Sequence, residues 1–226
     1  MKNSRIVLML FGVVVLVHLA SIAFTQEVLQ QYSKPLIMVS LMIYYGMAAS
    51  RRSYVFMTAM LFCWAGDVLL MFQHTVPYCF LLGLGAFLIG HLMYIMAYLQ
   101  HRNEDTGAGF LPTQKLRYAM PFLLAGTGLL TVLYPNLASL LWPVVAYAAV
   151  LVTMVIVALF RYGRTSTASF GLVFGGAVLF MISDSLLAMN KFHAPIQQAG
   201  LLIMITYCVA QGLIAEGMLK HEAGPR

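Results

Sequence analysis

Stretches of this chain, among them Ile6 to Gln26, Tyr118 to Phe160 and Phe192 to Ala215, run without a formal charge for as long as a bilayer is thick. Crossing roughly 30 Å of hydrocarbon takes about 20 helical residues, whereas a buried helix of a soluble domain needs only about 10 to 14 apolar ones. The middle stretch is long enough for two crossings and a turn. A chain built this way folds as a bundle of membrane helices, because in lipid the backbone must satisfy its hydrogen bonds within each helix.

Composition agrees. Charged residues make up 9% of the 226 and hydrophobic ones 62%, with a mean hydropathy of +0.87; a soluble domain usually carries about 25% charged residues to cover its wet surface. The net charge of +6 is not accompanied by a basic stripe interleaved with aromatics, so nucleic acid is not an expected partner. Cys63, Cys79 and Cys208 all lie in apolar stretches and read as small buried hydrophobes rather than a disulfide framework. Lys2 and Arg5 precede an apolar run too long for a signal core, so the first segment is expected to be a span.

The expected fold is all-α, a single integral membrane domain over residues 1–226. Eight helices are placed at about 6–25, 35–50, 54–72, 79–99, 117–133, 138–160, 168–189 and 196–219, from the apolar runs and the breaks between them. Lys34-Pro35, Pro77, Gly107 to Pro112, Tyr134-Pro135-Asn136 and Ala194-Pro195 mark the breaks. Pro121 and Pro143 are expected near helix starts, where a missing amide donor costs little. The second span is short, and Arg51-Arg52 marks its edge. With the N terminus inside, Lys34 and Lys191 are alone on the outer side and the other eleven of the 13 Lys and Arg residues lie inside. This satisfies the positive-inside rule with both termini cytoplasmic. The longest connection, His101 to Leu116, carries Glu104-Asp105 and is expected to be a cytoplasmic loop. Gly171 with Gly175 and Gly176, and Gly83, Gly85 and Gly90, offer close helix approach.

Two carboxylates fall well inside predicted spans, and a charge at membrane depth is costly enough that it usually belongs to a pathway, a pair or a reaction. They are Asp67, in Ala65-Gly66-Asp67-Val68-Leu69-Leu70, and Asp184, in Ile182-Ser183-Asp184-Ser185-Leu186-Leu187. Their helices, the third and seventh, run in the same direction, which suggests a weak parallel repeat of helices three and four against seven and eight. Asp67 lies about 14 residues and Asp184 about 16 residues from the inner ends, at 1.5 Å each, so both sit in the outer half at similar heights. Two carboxylates sharing a desolvated cleft would share one proton, giving a general acid beside an anionic partner. A structural polar lock is the competing reading.

The remaining polar exceptions rank below these. His91, Tyr94 and Tyr98 share a face of the fourth helix, and Tyr207 and Gln211 share one of the eighth. They can line a cavity or orient a water, with ordinary interhelical hydrogen bonds as the plainer alternative. No metal site is expected, since His91 lacks partners at ligand spacing. Asn190 and Lys191 end the seventh helix and Lys34 begins the second; either lysine could hold a lipid phosphate, or simply snorkel to the interface.

With these motifs in hand, the chain resembles the YhhN family, whose animal relatives include the transmembrane lysoplasmalogenases. The resemblance rests on Lys34-Pro35-Leu36, the segment around Asp67, Gly85-Ala86-Phe87 to His91-Leu92-Met93-Tyr94, Gly176-Ala177 to Ile182-Ser183-Asp184-Ser185 with Asn190-Lys191-Phe192, and Tyr207 to Gln211. It implies hydrolysis of the vinyl ether bond of a lysoplasmalogen, a single-tailed ether phospholipid, without metal or organic cofactor, in a bacterial cell membrane. Protonating the β-carbon of a vinyl ether requires a positioned acid. Asp184 is assigned that role and Asp67 the electrostatic partner or base. His91, Tyr94, Tyr207, Gln211 and Asn190 are cavity or water-positioning residues, and Lys34 and Lys191 phosphate candidates. A proton-coupled transporter using the same aspartates, and a non-catalytic lipid-binding protein, are the alternatives.

Overall fold

The computed structural model describes residues 2–73, 75–103 and 109–222. Eight α-helices are present among them: α1 (Lys2–Ala23), α2 (Glu27–Ala48), α3 (Tyr54–Met71), α4 (Tyr78–Gln100), α5 (Pro112–Leu133), α6 (Leu141–Leu159), α7 (Thr167–Phe192) and α8 (Ala199–Glu222). The expected number and order of helices therefore hold. Glu104-Asp105 lie outside the described residues. Seven helices are long and apolar enough to cross a membrane, which makes this an integral membrane protein; α2 is not among them. Its 22 residues would reach about 33 Å, but its first two turns carry Glu27, Gln30, Gln31, Ser33 and Lys34.

Three expected boundaries are corrected. Helix α2 starts at Glu27 rather than 35, so Lys34-Pro35 is not a break and Lys34 does not begin the helix; Pro35 lies inside it. An interior proline forfeits one backbone hydrogen bond, while ending the helix there would expose several backbone groups in an apolar setting, each at a cost of several kcal/mol. Helix α5 starts at Pro112 rather than 117. Proline there lacks a donor the first turn could not use anyway, and the Gln114 carboxamide accepts from the Leu111 amide at 2.9 Å. Pro121 is consequently interior to α5 and not near its start. Helix α6 starts at Leu141 rather than 138, because Tyr134–Asn136 and Ala138–Leu140 form two short 3-10 turns. The turns are held by burial of Leu133, Leu137 and Val144 against Ala188, Met189 and Phe192 of α7.

The chain divides into two compact units, Met1–Ala97 and Tyr98–Arg226. In the first, α1 packs along α2 and α2 along α3. Arg52 donates to the Gly46 carbonyl at 3.0 Å and closes the end of α2, while Ser53 opens α3 by accepting from the Phe56 amide at 3.3 Å. Helices α3 and α4 meet at glycines: a Cβ on Gly90 would stand 3.0 Å from Cys63 Sγ, and one on Gly83 3.0 Å from the Leu70 side chain.

In the second unit α7 and α8 pack over most of their length, with α6 beside α7 and α5 beside α6. A Cβ on Gly176 would come within 2.8 Å of the Ala210 carbonyl, and one on Gly217 within 2.9 Å of the Val173 amide. Backbone thus meets backbone there, the approach small residues permit in lipid. Gly171 and Gly175 meet nothing, so of the expected small-residue group Gly176 alone makes the contact. In the same unit Asn103 donates to the Arg164 carbonyl at 2.8 Å and Phe110 stacks on Tyr162 at 4.5 Å.

Candidate active site

The first unit carries Asp67, His91, Tyr94 and Lys34. Asp67 is the fourteenth residue of α3 and 4% exposed. Its neighbour Gly66 faces α4 so closely that a Cβ would lie 2.5 Å from the Phe87 ring. The His91 ring, fully buried, lies 6.5 Å from that of Phe87. Tyr94 is fully buried against Phe56 at 5.5 Å, and Phe56 meets Tyr45 edge-on at 4.7 Å. Asp67, His91 and Tyr94 therefore belong to one tightly packed pair of helices, with aromatic rings filling the space that glycine opens. Lys34 sits on α2 beside Ser33, whose hydroxyl lies 2.8 Å from His18 Nδ1.

The second unit carries Asp184, Tyr207, Gln211, Asn190 and Lys191. Tyr147 of α6 donates its phenol proton to Asp184 Oδ2 at 2.5 Å. This short bond fixes the plane of the carboxyl group. The residue before it, Ser183, donates across to the Ile203 carbonyl of α8 at 3.0 Å, and the one after, Ser185, to Met181 in its own helix at 2.7 Å. Asp184 is thus held from α6 while its backbone is tied to α8. Tyr207 is buried edge-on against Phe180 at 5.4 Å, and Gln211 is buried one turn further along α8. Asn190 uses its side-chain oxygen to accept from the Ile196 amide at 2.9 Å, which holds the turn between α7 and α8. Lys191 is exposed in the last turn of α7, where a cation complements the helix dipole.

Below Lys191, a groove of about 350 Å³ runs between α5 and α7, lined by Pro121, Phe122, Met181, Ile182, Leu186 and Met189. From Val178 to Met189 its α7 wall is twelve residues, or about 16 Å along the axis at 1.5 Å of rise per residue, close to half the hydrocarbon thickness. Its lining has the shape and polarity for a hydrocarbon chain.

Sequence reasoning missed three residues. Tyr147 escaped because a tyrosine in the apolar run of α6 looks ordinary; ranking every polar atom beside the acidic helices would have found it. His18 escaped in the same way on α1. Arg161, read only as an inside charge, is fully buried. Its guanidinium donates to the His101 carbonyl at 3.1 Å, the Ser169 hydroxyl at 3.2 Å and Met218 Sδ at 3.7 Å, and lies 5.6 Å from the Tyr98 ring. Burial pulls it down to about 10, so it keeps its charge at neutral pH. It joins four segments of the second unit at the end away from Lys191.

The YhhN family matches residues 29–218. The chain belongs to that family. It is similar to human "Lysoplasmalogenase TMEM86B", 33% identical over 144 residues, covering 64% of this chain and 56% of the relative. The pig protein of the same name is 33% identical over 139 residues, covering 62% and 54%. A "Lysoplasmalogenase" of Mycobacterium tuberculosis is 30% identical over 173 residues, covering 74% of this chain and 61% of its own. The chain thus spans between about half and three fifths of the length of these relatives. No solved structure matches it. Helix α1 precedes the family-matched residues.

Proposed function

We propose that this YhhN protein hydrolyses the vinyl ether bond of a lysoplasmalogen, releasing a fatty aldehyde and glycerophospho-ethanolamine or glycerophosphocholine. The observation that carries the reading is the Tyr147–Asp184 pair, a carboxyl group oriented within apolar helices in a family whose named relatives are lysoplasmalogenases. In this reading Tyr147 orients the Asp184 carboxyl group, which carries the transferable proton. That proton adds to the β-carbon of the vinyl ether and leaves an oxocarbenium ion at the α-carbon. A water adds there and gives up a proton to a carboxylate, and the hemiacetal collapses to aldehyde and alcohol. General acid catalysis of this kind contributes about 10²- to 10⁴-fold. Asp67 takes the second role the chemistry requires, stabilising positive charge and receiving the proton from water.

The α5–α7 groove supports a place for the hydrocarbon tail, with Lys191 above its outer end as phosphate partner and Lys34 as the second candidate. His91, Tyr94, Tyr207 and Gln211 are assigned to the walls and to water positioning. In this reading α2 crosses as well, both termini face the cytoplasm of a bacterial cell, and Lys34 and Lys191 face outward. An internal repeat of α3–α4 in α7–α8 is part of the same proposal.

The test is aldehyde release from defined lysoplasmalogens by the purified chain, with Asp67→Asn and Asp184→Asn compared after folding is checked. Each variant is expected to lose about 10²-fold or more. Absence of aldehyde from the wild type across headgroups sinks the hydrolase; unchanged turnover in both variants sinks the carboxylate mechanism. Uptake that needs a pH gradient, without aldehyde, would favour the transporter.

A further inference from the structure

The groove between α5 and α7 has a closed end that the reaction does not use. Its lining starts at Pro121 and Phe122 on α5 and at Val178 on α7. The Phe122 ring meets that of Phe174, one turn before Val178, edge-on at 5.7 Å. Leu129 and Leu130 of α5 pack against the same buried cluster as Met189 and Phe192 of α7, so the two helices run side by side in one direction. The Phe122–Phe174 pair therefore lies at the end of the groove away from Lys191. Helical side chains lean toward the N terminus of their own helix, which carries both rings further from Lys191.

The rings are braced from behind. Phe174 stacks on Phe170 at 5.6 Å, and Phe170 meets Tyr162 edge-on at 5.3 Å. A lone phenylalanine at the end of a groove could change rotamer and let a chain pass, whereas one pressed against a column of three further rings is held in place by their packing. The α7 surface around Phe174 is otherwise open, since a Cβ on Gly171 or Gly175 would meet nothing within 4 Å. With the ring of Phe122 gone, a chain in the groove could continue along α7 over glycine.

Length gives this closed end a consequence. From Asp184 to Phe174 is ten residues of α7 (184 minus 174), about 15 Å, or about half the depth of the hydrocarbon core. We propose that Phe122, backed by Phe174, is a stop that sets how long a tail the groove accepts, so that single-tailed lipids are selected by chain length at the end opposite their headgroup. The proposal rests on the hydrolase reading for its occupant, the hydrocarbon tail that extends from the carbons reacting at Asp184. A tail that reaches the rings fills the groove. Each further methylene must displace a braced ring or bend out into the bilayer, giving up contact with the groove wall.

The test uses saturated 1-O-alkyl lysophosphoethanolamines, which contain no vinyl ether, so that binding is read apart from turnover. An equimolar mixture with dodecyl, hexadecyl and eicosyl tails is offered to the full chain in detergent, and the lipid retained after removal of free micelles is measured by mass spectrometry. The wild type is expected to retain hexadecyl over eicosyl about fivefold, the low end of the cost of overfilling a packed site. Phe122→Ala removes the stop and is expected to bring that ratio to about one; Phe174→Ala, which removes only the backing, shifts it the same way by less. Ala125 lines the groove, and Ala125→Phe sets a ring about one turn closer to Lys191, so dodecyl should become the best retained. Rings that only hold the helices together would lower the melting temperature without reordering the lengths. No length preference in the wild type, or the same preference in all three variants, overturns the stop. A length limit with no aldehyde released from a lysoplasmalogen overturns the hydrolase and leaves the stop standing; aldehyde without a length limit does the reverse.

Discussion

The two acidic motifs read alike in sequence and are built differently. In α3 the residue before the aspartate is Gly66, and the Phe87 ring of α4 fills the space a side chain would take. In α7 it is Ser183, which reaches α8 through a hydrogen bond to the Ile203 carbonyl. The tightest contact of the α7–α8 pair lies elsewhere, at Gly176 and Gly217. Gly176 precedes Asp184 by eight residues, about 12 Å along the helix. Asp67 is consequently shut in at 4% exposure, whereas Asp184 is half-buried. Asp67 is buried beside a tight α3–α4 contact, whereas the half-buried Asp184 accepts the Tyr147 phenol proton. This difference supports the proposal that Asp184 donates the proton.

The largest effect expected is on turnover in Asp184→Asn, about 10² to 10⁴-fold; a smaller loss than in Asp67→Asn would reverse the roles drawn from the contrast. Next is Gly176→Ala. Its new Cβ meets a carbonyl oxygen at 2.8 Å, and backbone cannot turn aside, so about 3 kcal/mol of destabilisation is expected in thermal unfolding in detergent. Gly66→Ala meets a ring instead. Phe87 can rotate, so the expected cost is lower, about 2 kcal/mol, accompanied by lost turnover as the neighbouring His91 ring is displaced. Equal costs at the two glycines would erase the distinction between a backbone contact and a side-chain one. Tyr147→Phe removes the bond that orients Asp184 and is expected to lower kcat about tenfold, or about 1.4 kcal/mol, with stability nearly unchanged. A large fall in melting temperature would mean that the phenol holds the fold rather than the acid.

Much of the helix order was legible because charge-free runs and their breaks are one-dimensional signals. The start of α2 was not, since Lys34-Pro35 has the composition of a break, yet the helix begins at Glu27 and Pro35 lies inside it. Asp67 and Asp184 were legible as exceptions to hydrophobicity. Tyr147, His18 and Arg161 were not, because their importance comes from what they touch: a tyrosine in an apolar helix differs from its neighbours only once an aspartate is found 2.5 Å away. Asn190 shows the opposite case. Its polarity marked it as a cavity or water-positioning residue, and its side-chain oxygen also accepts from the Ile196 amide in the turn after α7.

The smallest effect tests the comparison most finely. Ser183→Ala deletes the hydrogen bond that stands in for close packing beside Asp184. A neutral hydrogen bond contributes about 0.5 to 1.5 kcal/mol net, and the larger penalties arise when a buried partner is left unpaired. The Ile203 carbonyl is not left unpaired, since the Thr206 hydroxyl also donates to it at 3.0 Å. The expected loss is therefore at the low end, about 0.5 kcal/mol by thermal unfolding, with kcat lowered less than in Tyr147→Phe because the carboxyl keeps its phenol. If Ser183→Ala instead destabilises the protein as much as Gly66→Ala, the serine is a packing residue like its counterpart, and hydrogen bonding would no longer distinguish the second acidic helix from the first.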